Sequence, residues 1–320
     1  MMYDVTAIGE VLIDFVQTSL NDSGYPMLSA NPGGAPGNYI CTLSRYGMKT
    51  RMVGKVGRDT FGGLLKATLQ KQGVDTAFLM EDPDVFTTLA FVTLDSTGDR
   101  SFAFARKPGA DTCFREEELP EDIGETRILH FGTLSLTDEP MRTATLTAVK
   151  RAKQAGALIS LDPNLRLSLW KDAQAARDAM RTALPLAEVV KLSEEELDFL
   201  FDGLPGSTEE RLQRLHRMGP RLIFLTLGAQ GCRYSLDGKI AGSMPAEKVK
   251  VADTTGAGDI FGGATAYGLL QHGCNLNTLN KTDLENIVRF AGRAAGLSTE
   301  RHGGIPSIPS LEEIKQRYSE

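Results

Sequence analysis

The sequence has few cysteines and histidines, four of each among 320 residues, and neither type is clustered. Cys41, Cys113, Cys232 and Cys274 form no Cys-x-x-Cys pair, which favours a reducing compartment over a disulfide framework. The scattered histidines predict no zinc-type site. No apolar run approaches the roughly 18 residues of a membrane helix, and the first residues lack the basic and apolar regions of a signal peptide. We therefore expect a cytoplasmic protein with no membrane partner.

An excess of basic charge is also missing. The formal net charge is −6 and the pI is near 5.4, which argues against nucleic acid or an anionic membrane as the main partner. Two common nucleotide motifs are absent, namely the Gly-Lys-Ser/Thr of a P-loop and the Gly-x-Gly-x-x-Gly turn of a dinucleotide fold. Any phosphate site must therefore be built locally.

The hydrophobic pattern changes along the chain. Phe86–Leu94 and Ser101–Ala105 alternate like two strands of a hairpin around a turn at residues 95–99. Later segments alternate between strands and helices, such as the helix Glu194–Leu200 and the strand Leu222–Thr226. This alternation predicts one α/β domain with a mostly parallel sheet and helices on both faces. The N-terminal hairpins fit that sheet poorly, so we expect a small separate sheet that could cover a site.

The most informative stretch is Asp253-Thr-Thr-Gly-Ala-Gly-Asp259, at the predicted start of an apolar helix. Gly256, Ala257 and Gly258 have little side-chain bulk, so backbone N–H groups at this helix N-terminus can contact an anion. Asp259 could take a proton from an attacking hydroxyl. An anion cradle beside a general base suits phosphoryl transfer to an alcohol. Close helix packing with Asp259 as a first-turn acid is the structural alternative.

This stretch resembles the C-terminal signature of the ribokinase-like (PfkB) carbohydrate kinases, and other motifs follow in family order from Val5 to Pro309. The resemblance is strongest to the fructokinase branch. It implies that Asp259 is the catalytic base and that the Gly256–Gly258 amides form the anion hole. It also implies a central, mostly parallel β-sheet flanked by helices on both faces, with a small β-sheet lid near residues 12–32 and 86–108. ATP and Mg²⁺ are the implied cofactors.

The sugar side of the resemblance lies near the N-terminus. Asn31–Asn38 is predicted to be a Pro/Gly loop before a helix, and Gly33, Gly34 and Asn38 match the family's Gly-Gly-x-x-x-Asn sugar signature. Asp14 follows apolar strand residues, and the family's Asp at this place holds sugar hydroxyls. A tight turn with Asn38 as a helix N-cap and a solvated Asp14 are the structural alternatives.

Two arginines complete the implied sugar site. Arg100–Asp111 resembles the fructokinase lid segment that delivers an arginine, here Arg106, although Ala105 stands where an aromatic residue is usual. Asp162-Pro-Asn-Leu-Arg166 follows a predicted strand, where ligands bind in open α/β sheets. The resemblance implies that Arg166 lies near substrate or phosphate. An exposed basic pair at 106–107 and an Asx turn at Asp162 are the alternatives.

The nucleotide side is implied by two further segments. Thr226-Leu-Gly-Ala-Gln-Gly231 resembles the family's phosphate-binding Thr-Leu-Gly-x-x-Gly, and Val190–Glu196 lies where the family carries Asn-x-x-Glu. Glu196 is implied to organise magnesium through water, with Ser193 in place of the Asn. A serine N-cap before an acidic first turn is the alternative. The implied nucleotide-binding residues are Lys191, Thr226, Gly228, Gly231 and Gly258.

The C-terminal segments resemble the family's motifs but differ from them at two positions. Gly292 stands where ribokinases often have Asn on the adenine-side helix, and Gly304 replaces a usual Ala in the final loop, residues 303–306. In some family members this loop holds a monovalent cation together with residues matching Asp253 and Thr255. A potassium site at Asp253 and Thr255 is therefore compatible with the sequence.

The expected reaction is ATP-dependent phosphorylation of a primary hydroxyl of a small sugar, with D-fructose giving fructose 6-phosphate. A 2-keto-3-deoxygluconate kinase is the alternative, because that branch shares the Asp-Pro-Asn-Leu-Arg motif. A catalytically inactive sugar-binding regulator is a second class, and the absent glycine fingerprint disfavours a nicotinamide dehydrogenase. Free strand edges in the lid would permit a homodimer.

Overall fold

The structure is a computed structural model that describes residues 2–94 and 100–318, with 13 strands and nine α-helices in these ranges. The strands are β1 (Tyr3–Ile8), β2 (Leu12–Leu20), β3 (Pro26–Gly33), β4 (Thr50–Gly57), β5 (Asp75–Asp82), β6 (Leu89–Leu94), β7 (Arg100–Ala105), β8 (Thr126–Gly132), β9 (Leu158–Asp162), β10 (Val189–Ser193), β11 (Leu222–Thr226), β12 (Cys232–Leu236) and β13 (Ile240–Met244). The helices are α1 (Ala35–Arg45), α2 (Thr60–Lys71), α3 (Met141–Gln154), α4 (Ala173–Ala183), α5 (Glu194–Leu200), α6 (Thr208–Arg217), α7 (Ala257–Gln271), α8 (Lys281–Ser298) and α9 (Leu311–Arg317).

The large sheet has nine strands within the described part of the chain, in the order β13-β12-β11-β10-β9-β8-β1-β4-β5. The pairs from β11 to β5 are parallel, and β12 and β13 add an antiparallel edge. The strand–helix alternation explains this arrangement, because parallel neighbours need a helical crossover. The predicted mostly parallel α/β sheet is confirmed.

Both faces of the large sheet are covered. Along β11, Leu222 and Phe224 pack into a core with α1, α2, α7, α8 and α9, whereas Ile223 and Leu225 pack into a second core with α3 to α6. Alternate side chains of a strand point to opposite faces, so a strand buried on both sides must be apolar throughout. The rings of Phe224 and Phe261 meet edge to face with 6.2 Å between their centroids, and this contact holds α7 over the centre of β11.

The two N-terminal hairpins form a second, small sheet in the order β3-β2-β6-β7. Strands β2 and β6 pair in parallel, which joins the hairpin β2–β3 to the hairpin β6–β7. The predicted separate sheet is therefore confirmed, while the turn predicted at 95–99 lies outside the described residues. The ring of Phe15 stacks on that of Phe91 with 5.3 Å between the centroids, and it meets the ring of Phe61 on α2 edge-on with 5.4 Å between the centroids. These contacts pack the small sheet against the helical layer.

The loop predicted for Asn31–Asn38 is wrong. Residues 31–33 complete β3, and α1 begins at Ala35. Gly34 alone breaks the chain direction, because its φ of 98° belongs to the left-handed region. Pro36 is tolerated in the first helical turn, where its missing N–H would have no partner anyway. Asn38 is consequently a residue of the helix and not its N-cap.

Strand β5 and helix α9 lie outside the predicted set. Strand β5 is at the end of the large sheet and carries Asp75, Glu81 and Asp82, which obscure its apolar alternation. Helix α9 is short, and its capping box of Ser310 and Glu313 is its main local signal. Within residues 2–94 and 100–318, no helix is both long and apolar enough to cross a membrane.

Candidate active site

Several site residues lie at or near the carboxyl ends of neighbouring parallel strands. Asp162 is the last residue of β9, Ser193 the last of β10 and Thr226 the last of β11, and Lys191 lies two residues before the end of β10. The register pairs Ser193 with Thr226, so these strand ends are level. The N-terminus of α7 approaches the same edge of the sheet, because Gly258 lies against the side chain of Lys191. This edge is the ligand-binding side of an open α/β sheet.

The first turn of α7 is shaped by Gly256. Its φ of 75° is left-handed, and a Cβ there would lie 2.9 Å from the Gly304 Cα atom. The amide of Ala257 donates to the Thr254 carbonyl at 3.3 Å, and that of Ile260 donates to the Gly256 carbonyl at 2.9 Å. The other first-turn amides point out of the helix along its dipole. This geometry can hold an anion.

Asn38 and Asp259 form the central contact of the site. The Asn38 side-chain amide donates to Asp259 Oδ2 at 2.8 Å, and only 3% of Asn38 is exposed. Burial raises the pKa of Asp259 to about 6, and the charge of Asp162 adds to this effect. Lys191, the Asn38 hydrogen bond and Arg166 oppose it by favouring the carboxylate. Asp259 is therefore ionised at neutral pH and close to the pKa that suits a general base.

Asp14 lies beside this pair on the small sheet. It is opposite Asn31 in the β2–β3 ladder, and its carboxylate lies directly over Gly33, where a Cβ atom would collide with it. Burial and then the charge of Asp259 raise the pKa of Asp14 to about 7, while Arg166 lowers it. The structure thus brings Asp14, Arg166 and Asp259 within electrostatic reach of one another, with Gly33 packed against Asp14.

Lys191 and Asp162 form a buried ion pair beneath the first turn of α7. Lys191 Nζ lies 2.8 Å from Asp162 Oδ2, and the other carboxylate oxygen accepts from the Asn164 amide at 3.1 Å. Burial alone disfavours the ammonium, but the carboxylates of Asp162, Glu196 and Asp259 raise the pKa of Lys191 above its ordinary value. The lysine is therefore charged in this pocket.

Both carboxylate oxygens of Glu196 accept hydrogen bonds from backbone amides. Oε1 accepts from Leu165 at 2.7 Å, and Oε2 accepts from Ser193 at 2.8 Å. The second bond belongs to a capping box, because Ser193 Oγ in turn accepts from the Glu196 amide. Burial raises the pKa of Glu196 and the charge of Asp162 adds to it. The capping alternative from the sequence is thus present, and it orients Glu196 next to the Asp162 segment.

The segment from Thr226 to Gly231 joins β11 to β12. Thr226 Oγ1 donates to the Leu192 carbonyl at 3.3 Å, and the Leu227 amide donates to the Gly231 carbonyl at 2.8 Å across one 3₁₀ turn that begins at Gly228. Gly292 lies on α8 with open space around the position of its missing Cβ. The family resemblance assigns these residues to the nucleotide side of the site.

Asp253 joins the catalytic segment to the C-terminal loop. Its Oδ1 accepts from the amide and hydroxyl of Thr255 at 2.9 and 2.7 Å, and its Oδ2 accepts from the Gly303 amide at 2.9 Å. The two segments that the sequence associated with a monovalent cation therefore meet in space.

Arg106 is placed in a buried cluster just beyond β7. Its Nε donates to Asp111 at 2.8 Å, its Nη1 to Thr137 at 2.8 Å and its Nη2 to the Leu134 carbonyl at 3.0 Å. Only 6% of Arg106 is exposed. The structure does not bring it into contact with Asn38 or Asp259.

Two carboxylates near the site received no assigned role from the sequence. Asp162 was expected only as part of a motif that faces the ligand crevice, and Glu10 was not singled out, although an acid two residues after the apolar strand β1 is itself a signal. Glu10 is buried, and its Oε2 has no hydrogen-bond partner among residues 2–94 and 100–318. Burial raises the pKa of Glu10 to about 7, with Arg106 lowering it and Asp111 and Asp259 raising it. Glu10 therefore lies within electrostatic reach of both Asp259 and the Arg106 cluster.

Comparison with known proteins agrees with this geometry. The model of the pfkB family carbohydrate kinases matches residues 2–311. Fructokinase-1 of Zea mays is 40% identical over 315 residues, which is 98% of this chain and 96% of the maize protein. The fructokinase of Xylella fastidiosa with bound ATP aligns over 100% of both chains with a TM-score of 0.91 and 31% identity. The Vibrio cholerae O395 fructokinase with fructose, ADP and calcium ion aligns over 98% of both chains with a TM-score of 0.87 and 31% identity. The resemblance found in the sequence is confirmed, and the chain belongs to the pfkB family of carbohydrate kinases.

Proposed function

We propose that this carbohydrate kinase transfers the γ-phosphoryl group of ATP to the primary hydroxyl of D-fructose, giving fructose 6-phosphate. One observation carries the proposal: Asn38, in the sugar signature, donates to Asp259 Oδ2 at 2.8 Å. A sugar bound by Asn38 would therefore present a hydroxyl to Asp259. The fructokinase relatives favour fructose over 2-keto-3-deoxygluconate, the other acceptor that the sequence left open.

In this proposal the sugar is held between the small sheet and α1. Asp14 would accept hydrogen bonds from sugar hydroxyls, and Asn38 would donate to them and accept from them. The absence of a side chain on Gly33 lets the Asp14 carboxylate lie directly against the backbone there. Arg166 stays near the reacting end of the sugar, because its charge acts on both Asp14 and Asp259. Arg106 supports the sugar site from the buried side.

Asp259 removes the proton of the attacking hydroxyl in the proposed reaction. A pKa of about 6 leaves Asp259 ionised at neutral pH while keeping it basic enough to accept that proton. The amides of the Gly256, Ala257 and Gly258 turn and the dipole of α7 would stabilise negative charge that develops on the phosphoryl group. Closure of the small sheet as a lid over a single domain would exclude water and limit ATP hydrolysis.

The nucleotide would lie over the ends of β10 and β11, near Lys191, Thr226, Gly228 and Gly231. The residues fit a magnesium ion that arrives on the nucleotide phosphates. Within the described ranges no group of three or more His, Cys, Asp or Glu residues could cage a metal, and Mg²⁺ commonly keeps waters and phosphate oxygens as ligands. Glu196 would act through such a water. Bound there, the ion would neutralise phosphate charge.

A potassium ion is proposed near Asp253 and Thr255. The buried Asp253 carboxylate accepts hydrogen bonds from the Thr255 hydroxyl and the Gly303 amide, so a negative charge lies where the two segments meet. Activity measured in potassium against tetramethylammonium at equal ionic strength tests this site. A several-fold higher kcat in potassium is expected, and equal rates in both salts would remove the proposal.

We also propose a homodimer through the small sheet and a cytoplasmic location. Strand β3 is an edge strand, and Leu20, Tyr25 and Met27 around its hairpin are half-exposed or more, which is a surface that soluble proteins usually cover. Light scattering of the purified protein and of a Met27→Asp variant distinguishes a dimer from a monomer. All four cysteines are free thiols, as a reducing compartment would require.

The function is tested by a coupled ADP-release assay with Mg-ATP against fructose, 2-keto-3-deoxygluconate, ribose, glucose, tagatose and adenosine. We expect fructose to give the highest kcat/KM by at least ten-fold. A clear preference for 2-keto-3-deoxygluconate would replace fructose as the substrate. No turnover with any acceptor, together with calorimetric sugar binding, would favour an inactive regulator.

A further inference from the structure

Lys191 and Asp162 form an ion pair at a buried position, where it is costly to remove both charges from water. The Lys191 side chain is 12% exposed and that of Asp162 is 5% exposed, with 2.8 Å between Nζ and Oδ2. Desolvation of two charges often exceeds their mutual attraction, so an apolar pair of similar volume would commonly stabilise a fold as well or better. The position of this pair therefore calls for a reason other than stability.

The ammonium of Lys191 lies against the anion-binding turn of α7. An ideal Cβ on Gly258 would be 3.0 Å from Lys191 Nζ and 3.7 Å from its Cε atom. The aliphatic stem of the lysine continues along the helix, since a Cβ on Gly262 would lie 4.0 Å from Lys191 Cδ. The charge is thus adjacent to Gly258 in the first turn of α7, on the side where a side chain would otherwise stand.

We propose that Lys191 is a catalytic residue that contacts the transferred phosphoryl group, and that Asp162 is a positioning residue that aims its ammonium. This inference rests on the proposed phosphoryl transfer and goes beyond ground-state binding of the nucleotide. An ammonium has three donors. One is used by Asp162, so another can reach a phosphoryl oxygen held at Gly258 without breaking the ion pair.

The proposed step needs no reactant other than the sugar, ATP and these side chains. The sugar hydroxyl oxygen forms a bond to the γ-phosphorus atom of ATP, and its proton passes to the Asp259 carboxylate. The bond from that phosphorus atom to the bridging oxygen breaks, and its electron pair leaves on the β-phosphate of ADP. Lys191 keeps its proton throughout and stabilises the charge on the transferred group by an electrostatic contact in a desolvated site.

The decisive experiment compares Lys191→Met, Asp162→Asn and the double variant by kcat, KM for ATP and melting temperature. Lys191→Met should lower kcat by about 100-fold or more, and it should also lower the melting temperature because Asp162 then stays buried without its cation. The double variant removes that unpaired carboxylate. It should recover the melting temperature while its kcat stays low.

Two results would overturn the inference. If the double variant recovers kcat to within about three-fold of Asp162→Asn, the lysine only neutralises Asp162. If Lys191→Met raises KM for ATP and leaves kcat unchanged, the lysine only binds the nucleotide. Should Lys191→Met fail to fold, the double variant alone gives the answer, because it lacks the unpaired charge.

Lys55→Met is the matched control. Lys55 is buried on β4, 2.7 Å from Glu118 and 3.8 Å from Asp82, and it has no part in the proposed site. Its loss should lower the melting temperature and leave kcat unchanged. Asp259→Asn separates the two proposals: if it turns over normally the proposed function fails, whereas an inactive Asp259→Asn with a fully active Lys191→Met contradicts only the role of Lys191.

Discussion

The Asn38 side chain donates a hydrogen bond to Asp259 across a separation of 221 residues in the chain. Asn38 lies on the second turn of α1, and Asp259 lies on the first turn of α7. The two helices pack side by side over the large sheet, with Gly263 of α7 against Thr42 of α1. The contact joins the sugar signature to the proposed base, so the two motifs form one site.

Replacing this amide by a carboxylate should move the pH dependence of catalysis. In the wild-type protein kcat should fall as the pH drops through about 6, because Asp259 must be ionised to act as a base. Asn38→Asp places a second carboxylate beside Asp259, and two such groups in contact resist joint ionisation. The acid limb of kcat should therefore move above pH 7.

The control for this change is Asn286→Asp on the exposed side of α8, which should leave the profile in place. An Asn38→Asp variant with a wild-type acid limb would mean that Asp259 is not the group whose ionisation limits the rate.

Removal of the buried Arg106 should affect stability and sugar affinity together. Arg106→Ala leaves Asp111 buried without its cation. Of the two side chains that donate to Asp111, Arg106 and Thr88, only Thr88 then remains. Such a change commonly lowers the free energy of unfolding by about 3–5 kcal/mol. We also expect a higher KM for the sugar, because Arg106 connects the end of β7 to Leu134 and Thr137 after β8.

Denaturant unfolding and initial-rate kinetics measure the two effects. Arg181→Ala, an exposed residue of α4 with a weak ion pair to Asp178 at 3.9 Å, should change the free energy of unfolding by about 0.5 kcal/mol or less. An unchanged sugar KM in a folded Arg106→Ala protein would remove Arg106 from the sugar site.

Glu10 should make stability depend on pH. Its folded-state pKa of about 7 lies above the ordinary value of 4.5, so the folded protein holds a proton that the unfolded chain releases. This contribution favours folding at low pH and is lost as the pH rises through about 7. Glu10→Gln should therefore be more stable than the wild type at pH 8, by about 1–3 kcal/mol, and similar to it near pH 4.5.

Unfolding in urea at both pH values provides the measurement, with the exposed Glu121→Gln as control. Equal stability differences at pH 8 and pH 4.5 would show that Glu10 carries no proton linkage. Asp14 and Asp259 also have raised pKa values, so part of the wild-type slope should persist in Glu10→Gln.

Local chemistry made several elements predictable from the sequence. The helix Glu194–Leu200 and the strand Leu222–Thr226 have the predicted bounds, because a serine cap marks the start of the helix and an apolar run marks a strand buried on both faces. The second hairpin of the small sheet was predictable because Phe86–Leu94 and Ser101–Ala105 alternate with a period of two residues. Motif order then indicated which segments meet at one edge of the large sheet.

Contacts between distant segments were not predictable. Nothing in the pattern around Lys191 shows that Asp162 is its partner, since the two residues belong to different apolar strands that could end at different levels. Arg106 was expected at the sugar, but the cluster with Asp111, Thr137 and Leu134 depends on three elements packing together. The Asn31–Asn38 segment was misassigned because Gly34 alone makes the turn between β3 and α1.

The role of Asp259 is best tested by measuring ADP release from Mg-ATP with saturating fructose, for the wild type and for Asp259→Asn, whose side chain has nearly the same shape. We expect turnover by the wild type and a loss of about 1,000-fold or more in kcat for the variant, with calorimetric fructose affinity retained within a few-fold. A variant that turns fructose over at a near-normal rate would contradict the proposed role of Asp259.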